Sequence, residues 1–151
     1  MYQVLLNKCD DRIQQILAED NYSCIECSTE ADYRRQRVEF PCQVDVSAGH
    51  VSKANDYRLP YSACVPKIFI EIKEFVNNCK KFADGLNSSQ TELDDMIRKP
   101  TNRLITDKIN EDIRVLIKKV SLAQLVQIVV NTIYLEKSIT LLEEHLLSVI
   151  E

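Results

Sequence analysis

From Pro66 onward, apolar residues recur every three or four positions, and this repeat constrains the chain more than any other feature. Ile68, Ile72, Phe75, Val76, Cys79, Phe82, Ala83 and Leu86 place one apolar face along a single helix. Pro66 suits the first turn of that helix, where its missing N–H would be unpaired in any case. Gly85 to Ser89 closes it. Ser89-Gln90-Thr91-Glu92 then has the form of a capping box, and it opens a helix carrying Leu93, Met96, Ile97, Leu104, Ile105, Ile109, Ile113, Leu116 and Ile117. Pro100 falls inside this pattern. A proline in a helix interior removes a donor and costs roughly 3 kcal/mol, so a kink or break is expected near Arg98 to Thr101.

A second capping box, Ser121-Leu122-Ala123-Gln124, starts the last helix, whose Leu125, Ile128, Val129, Ile133, Leu135, Ile139, Leu142, Leu146 and Val149 run to the end of the sequence. Its apolar stretch, Leu122 to Leu135, is interrupted by Gln124, Gln127 and Asn131 and is too short for a bilayer core of about 30 Å. Because this half is apolar nearly all round, it is expected to be the central, most buried element. Leu146, Leu147 and Ile150, at the other end, are expected to be partly exposed, as in a piece of a longer bundle.

The first half is less regular. Leu5, Cys9, Ile13, Ile16 and Leu17 predict a helix over about residues 2–18, and Thr29 to Val38 reads as a short polar helix capped by Ser28 or Thr29. Phe40 to Cys64, with Pro41, Gly49 and Pro60 and a brief alternation at Val44 and Val46, reads as a long irregular connection. The expected architecture is therefore all-α, an elongated antiparallel helical bundle segment with a long irregular loop. Residues 1–64 form an N-terminal helix, a short polar helix and the loop. Residues 65–151 form a three-helix bundle segment truncated at its C-terminus.

Composition removes most chemistry. The 151 residues include only two glycines, Gly49 and Gly85, so neither a P-loop nor a dinucleotide fingerprint can be built. A net charge of -4 argues against nucleic acid as a partner, and the basic cluster Arg34, Arg35 and Arg37 reads as a solvated helix face. No secretory leader pattern follows Met1, which predicts a reducing compartment and six cysteines that are free thiols or metal ligands. Asn21 and Asn87, each in a glycosylation sequon, then have no secretory role.

Cys24 and Cys27 form a Cys-x-x-Cys pair, a spacing shared by zinc sites and redox centres. A structural zinc needs four ligands, and Cys42, His50 and Cys64 complete no familiar spacing. A redox pair should open a helix after a strand, and neither element is evident. Glu92, Asp94 and Asp95 cluster in the first turn of a helix, where the dipole alone favours carboxylates. His145 has Leu142 three positions before it rather than the glutamate of a di-iron bundle. Gln127 and Asn131, one turn apart in an apolar helix, suit pairing with neighbouring helices. No catalytic, cofactor-binding or metal residue is assigned, and helix surface remains as the working part. Two further readings stay open: an independent small helical adaptor, and a zinc-stabilised domain using Cys24 and Cys27.

Several segments carry a resemblance. Asp20-Asn21-Tyr22-Ser23, the run from Val65 to Phe75, Cys79-Lys80-Lys81-Phe82, the run from Thr91 to Lys99, Thr101-Asn102, Leu125 to Ile128, Asn131-Thr132 and Leu135 to Ser138 resemble, in order, the exocyst complex component 6 family, the Sec-fifteen subunit of the exocyst. The resemblance spans about residues 17–150, at the start of that family's C-terminal region. It implies a non-enzymatic cytoplasmic subunit of stacked helical bundles that helps dock secretory vesicles at the plasma membrane. It implies other exocyst subunits as partners, an indirect membrane association, and a GTP-bound Rab-family GTPase contacting helices beyond residue 151. No binding residue is carried over. Cys24 stands where that family commonly has proline, and Pro100 where it has a small polar residue.

Overall fold

A computed structural model describes residues 2–42, 58–86 and 89–150. Its helices in chain order are α1 (Tyr2–Glu19), α2 (Glu30–Glu39), α3 (Cys64–Asp84), α4 (Gln90–Arg103), a π-helical turn (Leu104–Ile109), α5 (Asn110–Ile117) and α6 (Leu122–Ile150). Two short strands, β1 (Ile25–Glu26) and β2 (Arg58–Leu59), form a small antiparallel ladder. The fold is all-α in character, as the periodicity predicts. The alternation at Val44 and Val46, together with Gly49 and His50, lies outside the described residues.

The central helix is α3. It packs against α1, α4 and α6, and it buries ten residues, from Cys64 to Ala83. Each large apolar side chain fully removed from water there contributes about 1.5–3 kcal/mol, which makes this face the main source of stability. From α1, Leu6, Cys9, Ile13 and Leu17 meet it at helical spacing. Both sequence-readable capping boxes form: Ser89 Oγ accepts from Glu92 N–H while Glu92 accepts from Ser89 N–H, and Ser121 and Gln124 do the same.

The burial expected for α6 is not found. Leu122 is 78% exposed and Val126 61%, and Val129, Ile133 and Ile139 are also exposed. The buried residues are Ile128, Asn131, Tyr134, Ser138, Leu142, Leu146 and Ile150, a single stripe facing α3 and α4. A helix that is apolar all round is covered only as far as neighbours exist, and this chain supplies them on one side. At the far end the expectation also reverses, because Leu146 and Ile150 are buried and only Leu147 is exposed. By length and composition the 29-residue α6 could cross a membrane, unlike the shorter Leu122 to Leu135 stretch alone. Its packing along α3 and α4 is that of a bundle helix.

Nor does the chain break at Pro100. The helix continues through it to Arg103, and the irregularity appears afterwards as the π-helical turn. Ile97, Thr101 and Leu104 are all buried around the proline, and Thr101 Oγ1 donates to the Ile97 carbonyl at 2.7 Å. Tertiary packing holds the backbone helical where local preference opposes it, and the wider hydrogen-bond spacing of a π turn takes up the misfit.

The connection that looked unpatterned is anchored at both described ends. Phe40, Leu59 and Tyr61 are fully buried, and Cys42 is nearly so. Phe40 stacks edge-on against Tyr61 and Phe69 with ring centroids 5.1 and 5.0 Å apart, and Tyr61 meets Tyr134 at 5.1 Å. This aromatic chain ties the end of α2 to α3 and α6.

Candidate interaction surface

Where α1 ends and α3 begins, a polar knot fixes the position of α6. Asp20 Oδ2 accepts the Ser62 hydroxyl at 2.6 Å, and Asp20 Oδ1 accepts the Cys64 N–H at 3.2 Å, so a carboxylate sits on the free N–H groups opening α3. Ser62 N–H donates to Asn131 Oδ1 at 2.9 Å, and Asn131 Nδ2 donates back to Ser62 Oγ at 2.7 Å. Gln127 Nε2 donates to both Asn131 Oδ1 and the Pro60 carbonyl. Gln127 and Asn131 thus tie α6 mainly to the connection leading into α3, at Pro60 and Ser62, and Asn131 Nδ2 reaches the first residue of α3 at Cys64 Sγ, 3.5 Å away. Asp20 also accepts the Tyr22 N–H, holding Tyr22 in the left-handed region at φ 53°.

The Cys-x-x-Cys pair flanks this knot. Cys24 is exposed, and its Sγ approaches the Pro60 carbonyl and Gln127 Oε1 at 3.5 and 3.6 Å. Cys27 is half-buried, and burial followed by the Asp32 charge pushes its thiol up. All six cysteines are free. Burial pushes the Cys9, Cys64 and Cys79 thiols up to about 12, which leaves them protonated and unreactive at neutral pH. Among the described residues no group of three or more His, Cys, Asp or Glu side chains is placed to hold a metal ion, and His50 lies outside them. The structure therefore brings Cys24 to Gln127, a contact that sequence spacing could not indicate. Glu92 serves its cap, Asp94 pairs with Arg98, and His145 Nε2 lies 2.9 Å from Asn77 Oδ1.

What the chain does present is apolar helix surface. Leu122, Val126, Val129 and Ile133 recur at four, three and four residues, forming an exposed stripe on the first half of α6. On another face of α6 lies a groove of about 340 Å³ with Ile68 and Ile72 as its floor, walled by Ile105, Ile109 and Ile113 on one side and Leu135 and Ile139 on the other. Its origin is the path of the middle helix. α4 contacts α6, but the π turn contacts α1 instead, so the two walls diverge. Arg98, paired with Asp94 on its own helix and with Glu143 on α6 at 2.8 Å, closes the end where α4 and α6 still meet.

A family model described as the C-terminal part of exocyst complex subunit Sec15 matches residues 2–150. The chain belongs to this Sec15 C-terminal family. Curated relatives agree: exocyst complex component 6B of Mus musculus is 39% identical over 150 residues, and exocyst complex component 6 of Homo sapiens is 37% identical over 150 residues. Each match covers 97% of this chain but 18% of the relative, so the Sec15-family segment seen here spans under a fifth of their length. The relative from Drosophila melanogaster is 37% identical over 89 residues, covering 58% of this chain and 12% of its own. A crystal structure of a Sec15 C-terminal domain superposes with a TM-score of 0.77 at 28% identity, covering 99% of this chain and 49% of that one. The helical bundle is thus shared with about half of a known domain's length, and the relatives are named as components of the exocyst.

Proposed function

We propose that the chain contributes a helical segment to an exocyst subunit and works in vesicle docking by protein contact alone. The family match over residues 2–150 carries this reading. Buried area and charge pattern would decide which helices dock, without bond chemistry. Its partners on this reading are other exocyst subunits, and for the complete C-terminal region a Rab-family GTPase in its GTP-bound form. Its place is the cytoplasm, peripheral to exocytic sites and vesicles. On this reading the main GTPase surface lies in the part of the crystallised domain that the chain, covering 49% of it, does not include.

Pulldown with GTP-locked Rab proteins tests the division, using this chain beside a version extended to the whole domain. The extended form should bind and the short form should bind weakly or not at all. Equal capture by both would put the GTPase surface within residues 1–151. Co-precipitation with the remaining exocyst subunits tests the wider reading, and failure of the extended form to join any of them would overturn it.

A further inference from the structure

Asp10 occupies the apolar stripe of α1, between Leu6 and Ile13, and is only 8% exposed. Asp112 comes from α5 to the same place. Gln14 Nε2 bridges the two, donating to Asp10 Oδ2 at 3.0 Å and to Asp112 Oδ1 at 3.2 Å. That engages one oxygen of each carboxylate. The other two, Asp10 Oδ1 and Asp112 Oδ2, are buried with no hydrogen-bond partner among the described residues.

An ionised carboxylate only accepts hydrogen bonds, so two of them cannot satisfy each other. Adding one proton changes this: the acid donates to the remaining carboxylate, both unpartnered oxygens gain a bond, and the repulsion between like charges disappears. We propose that Asp10 and Asp112 share a single proton that latches α1 to α5, making the junction of the first helix with the end of the middle helix a pH-sensitive device.

The surroundings agree with this placement. Burial, then the hydrogen bond and charge of Asp10, push the Asp112 carboxyl up to about 7, while Gln14 and Lys108 pull it the other way. Lys119, just past α5, lines the same cleft as Gln14 and Asp112. Between α1 and α3 the charges are Arg12 of α1 and Glu71 of α3, already paired with each other at 3.2 Å. The cations therefore moderate the pair without supplying a donor to either unpartnered oxygen. With the folded value above the ordinary 3.8, the native state holds the extra proton between those limits. The latch is complete below the unfolded value and is lost as pH rises through about 7.

Carbon-13 NMR of the side-chain carboxyls tests this on the unmodified chain. One titration of the pair should fall near neutrality instead of near pH 4, the ordinary position for about every exposed aspartate. Denaturation across pH should show the unfolding constant rising between pH 5 and 7 by several-fold per unit, with about tenfold as the ceiling for one proton. In Asp112→Asn the amide donates to Asp10 at every pH, so this share of the pH dependence should vanish and the variant should be the more stable form above neutrality. Titration of both carboxyls below about pH 5 would overturn the proposal. So would an Asp112→Asn profile parallel to that of the unsubstituted chain. Should the variant fail to fold, the carboxyl titration decides alone.

Discussion

The backbone N–H of Ser62 donates to Asn131 Oδ1 at 2.9 Å, joining the entry of α3 to the middle of α6 across 69 positions of sequence. Both residues are buried, and Asn131 returns a bond to Ser62 Oγ at 2.7 Å. A Ser62 or Asn131 group that loses its partner loses it away from water. Asn131→Leu should therefore lower the unfolding free energy by about 1–3 kcal/mol, read from the urea midpoint, since it leaves the Ser62 N–H unpaired. A change within about 0.5 kcal/mol, typical of an exposed site, would show that the knot contributes little.

Asp20 carries two loads: it takes the Ser62 hydroxyl and caps the Cys64 N–H. Asp20→Ala should cost about 1–2 kcal/mol, as removal of a helix-capping carboxylate does. Asn21→Ala is the control, because that exposed side chain, among the described residues, serves the local turn through Ser23 N–H.

Pro100 sits in a helix that stays continuous around it. Pro100→Ala should raise stability by about 1–2 kcal/mol, the interior proline penalty of roughly 3 kcal/mol less the added freedom of the unfolded chain. Thermal denaturation checks this. A lower midpoint would mean that the proline is needed where it stands.

Exposed apolar stripes drive association, so the chain should self-associate as its concentration rises. Val126→Glu with Val129→Glu should shift that association to higher concentration in light scattering, with little change in melting temperature, because both residues are exposed. Unchanged association would place the contact elsewhere.

Thiol chemistry offers a further check. Cys24 is exposed, while Cys9, Cys64 and Cys79 are buried with thiols pushed up to about 12. Labelling by a disulfide reagent near neutral pH should modify Cys24 first and these three only on unfolding. Early modification of Cys64 would imply that the polar knot opens readily.

The elements that sequence predicts well are those whose causes lie within one turn. The Ser89–Glu92 and Ser121–Gln124 boxes each close over three residues, and both form. The burial of α6 has no such local cause: periodicity specifies a helix, whereas its coverage depends on how many neighbours α3 and α4 leave room for. Pro100 is read by its local penalty, but the packing of Ile97, Thr101 and Leu104 prevails. The ladder of Ile25 with Leu59 is two residues long on each side and leaves no repeat to detect. Asp10 is different, because its signal was present. It stands in line with Leu6, Ile13 and Leu17, where a carboxylate at an apolar position calls for a partner. Membership of the Sec15 family was legible from scattered helix motifs, because packing faces leave residue patterns even where no catalytic group exists.

The 29 residues of α6 form one uninterrupted helix, ~44 Å from end to end at 1.5 Å per residue. Its second half is clamped against α3 and α4, its first half is gripped on one side only, and Arg98 with Glu143 spans the clamped part. Mechanically this is a cantilevered beam. A pull on the Leu122 end would travel down the rod to the Ile150 end with little loss to bending, and the knot at Asn131 would act as its fulcrum.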